Sequence, residues 1–221
     1  MTPEEALNSL TTNTLHFLQT NLIVIAGKAT SGTCTCYIGK HGTQPIAGAG
    51  YPDETFAICA NNYPVGMPDA PPPNAPYMFQ GHNTRMITSI EVVILDKIES
   101  YPLPEVGGPD IMITGQLSGC AFASLVQGAQ TMVAHIQPNN EPWRTNTDLR
   151  LRTNLRNGGR FLLAPAAPFT SVFGVDAYNP SIGQKAYVIG VRNHGTWGLY
   201  YQVASASITS TTYIIDAAQF V

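Results

Sequence analysis

The chain has 221 residues, of which 11 are basic and 14 acidic, giving a formal net charge of −3. Charged residues are 11% of the total, against about 25% in ordinary soluble domains, so Ser, Thr, Asn and Gln must wet most of the surface. The charge balance argues against a nucleic-acid or anionic-membrane binder, and no apolar run reaches the length of a membrane-spanning helix.

The first segment, Met1-Thr2-Pro3-Glu4-Glu5, has neither the basic region nor the apolar core of a secretory signal peptide. It reads instead as a helix start, with Thr2 as N-cap, Pro3 at the first helical position and Glu5 closing a capping box. Thr11-Thr12-Asn13-Thr14 ends that helix. Strands are expected at Leu15–Leu18, Leu22–Ala26, Thr33–Ile38 and Phe56–Ala60. Cys34 and Cys36 fall on one face of the third of these. Four cysteines are too few for a disulfide scaffold, and a bond between such near neighbours would be strained. Buried free thiols are therefore expected, with a bridge from Cys34 or Cys36 to Cys59 as the alternative.

The proline-rich stretch 61–80, with Pro71-Pro72-Pro73, cannot enter a sheet interior and is expected to form a stiff surface loop. Further strands are predicted at Ile87–Leu95 and Ile111–Thr114. Leu117-Ser118-Gly119-Cys120 is read as a tight turn opening a helix over Ala121–Val126, with His135 on the strand that follows. A cysteine at a helix N-terminus is biased toward the thiolate, and a nearby histidine can move its proton. The plainer readings are a buried small hydrophobe for Cys120, a satisfied core histidine for His135 and an ordinary strand residue for Thr114. No metal-ligand spacing occurs, and no cofactor is implied.

A helix is expected at Asp148–Arg156 with Gly158-Gly159 as its stop, and Arg144, Arg150, Arg152, Arg156 and Arg160 read as a solvated face, with a contact for an acidic partner protein as the alternative. Strands follow at Phe161–Leu163, Tyr187–Val191, Leu199–Val203 and Thr212–Ile215. This order predicts one α+β domain over residues 1–221, built as two mostly antiparallel or mixed β-sheets packed as a sandwich with flanking helices.

Thr114, Leu117-Ser118-Gly119-Cys120 and His135-Ile136 together resemble the cysteine glutamine deamidases, which include the cytotoxic necrotizing factors and the chemoreceptor deamidases. The Burkholderia lethal factor type is the nearest in pattern. Gly32-Thr33, Asn179-Pro180-Ser181-Ile182-Gly183-Gln184, Val188-Ile189-Gly190-Val191 and Leu199-Tyr200-Tyr201-Gln202 also resemble that type. The resemblance implies the same layered sandwich and a Cys120 nucleophile, a His135 base, Thr114 as its orienting partner, and Ser118 and Gly119 as the oxyanion turn, with the Cys120 N–H as the oxyanion donor. It implies a monomeric bacterial toxin, exported without a recognisable signal peptide and acting in the host cytoplasm. Its target would be a host translation-initiation helicase of the 4A type; a necrotizing-factor likeness would imply a Rho-family GTPase instead. A cysteine protease or transglutaminase, and a non-enzymatic β-sandwich binding module, are the alternatives.

Overall fold

In a computed structural model, the described residues are 1–28, 30–41, 54–60, 77–88, 100–128, 130–137, 171–173, 178, 183–206 and 213–219. The expected helix at 148–156, the arginine cluster, the strand at 161–163 and residues 61–76 of the proline-rich stretch lie outside them.

Helix α1 (Pro3–Thr12) forms as its sequence dictates: the Thr2 hydroxyl accepts from Glu5 N–H, and the Glu5 carboxylate accepts from Thr2 N–H. Asn13 ends it and opens α2 (Thr14–Thr20). The expected strand at Leu15–Leu18 is therefore a second helical turn. Its two fully buried residues, Phe17 and Leu18, dock with Ala6 and Leu10 of α1 onto a sheet, and burying that apolar stripe outweighs the short segment's local bias.

The strands are β1 (Asn21–Ala26), β2 (Gly32–Lys40), β3 (Glu54–Ala60), β4 (Tyr77–Thr84), β5 (Met86–Thr88), β6 (Tyr101–Leu103), β7 (Ile111–Thr114), β8 (Ala121–Gln127), β9 (Gln130–Gln137), β10 (Ser171–Phe173), β11 (Lys185–Asn193), β12 (Thr196–Ala206) and β13 (Tyr213–Gln219). Eight of them form one sheet in the order β1-β3-β2-β4-β7-β11-β12-β13. A smaller sheet runs β10-β8-β9-β5, with β6 sharing the β5 edge of β9. Most pairings are antiparallel; β1–β3, β4–β7 and β5–β9 are parallel. The α+β, mixed two-sheet architecture with flanking helices is thus as expected. Residues 77–80, placed in the proline-rich loop by sequence, instead begin β4, where they pair with β2 once the prolines have ended.

Side-chain alternation divides the core in two. From β7 and β11, Ile111, Ile113, Tyr187 and Ile189 point toward the helices and the inner faces of β1–β3. Met112, Ala186 and Val188, one residue out of step, face the small sheet and meet Leu103, Phe122 and Val133. The large sheet curls, because β1 at one edge also packs on β11, β12 and β13 at the other. Gln202 of β12 fixes that seam: its amide oxygen accepts from Ile23 N–H at 2.9 Å, and its amide nitrogen donates to Leu18 O at 2.6 Å and Asn21 O at 2.7 Å.

Candidate functional site

The site lies between the two sheets, where β7 faces β9. Thr114 shares a face with Met112, and His135 shares one with Val133, so alternation turns both toward the interlayer. Thr114 Oγ1 donates to Thr84 O at 2.9 Å and lies 2.6 Å from His135 Nδ1. A hydroxyl has one proton, and with that proton on the Thr84 carbonyl, Oγ1 accepts from Nδ1–H. The imidazole is then the tautomer with a bare Nε2 lone pair. His135 Nε2 is fully buried and has no hydrogen-bond partner among the described residues. Burial alone pushes the imidazole down from its ordinary value to about 3, so it is neutral at physiological pH.

Cys120 stands one residue before β8, whose Phe122 is directly opposite His135. Cys120 and Phe122 face the same way, which makes Cys120 a diagonal neighbour of His135 across the hairpin. The sequence therefore names three residues that the fold brings to one interlayer. The helix expected after Cys120 is not there: Ala121–Gln127 is a strand, paired with β9 on one side and β10 on the other. Ala121, Ala123 and Leu125 are buried as well as Phe122, so both faces are covered and a largely apolar run serves as a central strand. The helix-dipole argument for a Cys120 thiolate falls with it. The thiol is 4% exposed and packed with Met112, Leu117 and Phe122. Since Nε2 has no partner, the thiol–imidazole hydrogen bond is not formed in this conformation.

The Ser118-Gly119 turn carries the chain from the large sheet to the small one. Leu117 holds its start through two backbone hydrogen bonds with Ala186. Gly119 takes φ +116°, a conformation that a side chain would strain. Tyr178, which sequence reasoning missed, clamps the turn: its hydroxyl accepts from Gly119 N–H at 2.8 Å and donates to Cys120 O at 2.8 Å. Gly119 N–H is thus occupied by the Tyr178 hydroxyl and is not a free donor in the turn. Thr84 Oγ1 and Ser124 Oγ are also buried without partners among the described residues. Thr84 adjoins Thr114 in the β4–β7 pair, and Ser124 alternates onto the Phe122 face. Buried polar atoms are nearly always paired, so three such atoms around one interlayer mark it off from the apolar core. Sequence offered no signal for Thr84, Ser124 or Tyr178, because each depends on a pairing distant in the chain.

His82, the other buried histidine, has both ring nitrogens engaged: Nδ1 accepts from Tyr101 OH at 2.9 Å, and Nε2 donates to Pro109 O at 3.1 Å. It is structurally satisfied and has no spare lone pair for a base.

The four cysteines are free thiols, so the Cys34 or Cys36 to Cys59 bridge is absent. Cys34 Sγ and Cys36 Sγ are 3.7 Å apart. The hydrogen bond between them holds Cys34 below the ordinary thiol value and, with burial, pushes Cys36 above it.

No known family profile and no curated protein sequence matches this chain.

Proposed function

We propose that the protein is a protein-glutamine deamidase in which Cys120 is the nucleophile, His135 the general base and acid, and Thr114 the residue that sets the imidazole tautomer. The observation that carries this reading is the 2.6 Å Thr114–His135 pair, which leaves Nε2 bare on the face shared with Cys120. A base needs a free lone pair aimed at its proton donor, and this tautomer supplies one. An imidazole held so firmly neutral does not store the thiol proton at rest, so transfer accompanies attack. Substrate binding has to bring the Ser118-Gly119-Cys120 turn toward Nε2.

In that mechanism Cys120 Sγ bonds to the carboxamide carbon of a target glutamine as its proton passes to His135. The tetrahedral intermediate collapses, the C–N bond breaks, and His135 gives its proton to the departing ammonia. Water, deprotonated by His135, then attacks the thioester, releasing glutamate and restoring the thiol. The resemblance read from sequence supports a toxin acting on a host translation-initiation helicase of the 4A type, with a Rho-family GTPase as the other target. Purified candidates of both classes, incubated with the protein and mapped by peptide mass spectrometry, test this. A single Gln to Glu conversion with release of ammonia is expected; cleavage, cross-linking or no change in either class overturns the reading.

The burial of Cys120 within an apolar cluster favours a second reading, a non-enzymatic β-sandwich binding module. Iodoacetamide at about pH 6 separates the two: selective alkylation of Cys120 fits a catalytic thiol, and inertness fits a structural one.

A further inference from the structure

Cys34 and Cys36 lie on the concave side of the large sheet, away from the Thr114–His135 interlayer, and the proposed deamidation makes no use of them. β2 is paired along this stretch with β4, and Cys36 also lies opposite Ala60 of β3. Both thiols lean together until the sulfurs are 3.7 Å apart, and Cys36 Sγ also lies 3.8 Å from Cys34 O. Gly81 of β4 stands directly opposite Cys34. A Cβ there would lie 3.0 Å from Cys36 Sγ, so the missing side chain leaves room for sulfur. Cys34 reaches the surface at 8% exposure, whereas Cys36 is closed off.

A disulfide does not suit this geometry. Alternate residues of a strand are about 6.6 Å apart at Cα, near the outer limit for a disulfide. Joining the sulfurs would pull β2 out of its ladder with β4, which pairs both residues. A bridging atom needs no such movement. Two sulfurs 3.7 Å apart, each about 2.3 Å from a central ion, subtend roughly 107° at it, close to the tetrahedral angle. Thiolates select soft cations over hard ones.

We propose that Cys34 and Cys36 form a two-thiolate site for a soft d10 cation of the Cd2+, Zn2+ or Cu+ class. Two S–H bonds break, their protons pass to solvent, and two sulfur–metal bonds form with no change in oxidation state. Among the described residues no third His, Cys, Asp or Glu joins them, so exogenous thiol or water completes the coordination on the open Cys34 side.

Titration of the reduced protein with Cd2+ tests the site. One equivalent should produce an ultraviolet thiolate-to-cadmium charge-transfer band and a cadmium-113 resonance in the two-sulfur range. Cys34→Ser and Cys36→Ser should each abolish the band, while Cys59→Ser and Cys120→Ser leave it in place. Gly81→Ala keeps both thiols and should weaken binding by crowding the sulfur. Because buried substitutions can impair folding, alkylation kinetics on the wild-type protein provide an independent readout: Cd2+ should slow labelling of Cys34 and leave that of Cys120 unchanged. Absence of the band in wild-type protein, its loss in Cys120→Ser but not in Cys34→Ser, or protection of Cys120 alone overturns the proposal.

Discussion

Thr114 and His135 belong to different sheets, and the 2.6 Å contact between Oγ1 and Nδ1 ties those sheets together across a largely apolar interlayer. The same hydroxyl reaches Thr84 O, so one side chain fixes both a neighbouring strand and the tautomer of the ring it faces. Structural cohesion and the chemistry proposed for His135 therefore rest on a single oxygen.

Thr114→Val keeps the shape and removes that oxygen. Two buried groups, Nδ1–H and the Thr84 carbonyl, lose their partner, at a cost of about 1–3 kcal/mol each. Urea unfolding should show a total loss of about 2–6 kcal/mol, and deamidation should fall with it. His135→Ala should reduce turnover more, by about 10²–10⁴-fold, because it removes the proton carrier itself. Equal, small losses of turnover from both would remove the pair from the mechanism.

Cys120→Ser should abolish deamidation and leave the fold in place, since a hydroxyl is far less ionised than a thiol and the same base cannot activate it equally. Turnover near the wild-type rate would show that the nucleophile lies elsewhere. A large drop in melting temperature would identify Cys120 as a core residue first.

His135 also makes stability depend on acid. Its folded value is depressed to about 3 by burial, against about 6.5 in an unfolded chain. Below about pH 6.5 the unfolded chain binds more protons than the folded one, so stability falls as the pH drops toward 3, by up to about 1.4 kcal/mol per unit. His135→Gln should flatten the dependence of the urea midpoint on pH between about 6 and 4 relative to wild type. Parallel pH profiles for the two proteins would mean that the ring is not buried as described.

Tyr178→Phe should loosen the Gly119–Cys120 turn by freeing Gly119 N–H and Cys120 O. A stability loss of about 1–3 kcal/mol is expected, together with faster alkylation of Cys120. An unchanged alkylation rate would show that access to the thiol is limited elsewhere.

Arg192 is a polar anchor outside the site. Its guanidinium donates to Asp110 Oδ1 at 2.8 and 2.6 Å and to the carbonyls of Pro104 and Gly108 at 2.9 and 3.0 Å, and it sits 5.6 Å from the Trp197 ring centroid. A lysine has no planar fork to span these acceptors. Arg192→Lys should destabilise the fold by about 2–3 kcal/mol, with little effect on deamidation, when unfolding and activity are measured together.

Where local chemistry alone decides structure, the sequence was readable. The Thr2–Glu5 capping box formed as expected, and β7 runs from Ile111 to Thr114 as predicted. The segments after Cys120 and around Leu15 were misread for opposite reasons. Ala121–Val126 has no period to separate a buried strand from a helix, and only its two ladder partners settle the matter. Thr14–Thr20 is too short to show a helical period and becomes helical because Phe17 and Leu18 cap the inside of the curled sheet. For the site, the three residue types and their order were legible. What was not legible was their mutual placement, since Thr114 and His135 meet only through packing of separate sheets, and the Tyr178 clamp comes from far along the chain.

The Gln202 seam has a consequence for how the chain acquires its shape. Its three hydrogen bonds join residues about 180 positions apart, Ile23 being 179 and Leu18 184 residues from Gln202. Contacts of such long separation form slowly, because the loop they close must first be brought together. During synthesis α1, α2 and β1 emerge before their docking partner on β12, which lies about 180 residues further along. The N-terminal segment must therefore wait with Phe17, Leu18 and Ile23 uncovered, and for that interval this apolar stretch is where a holding chaperone would find the nascent protein.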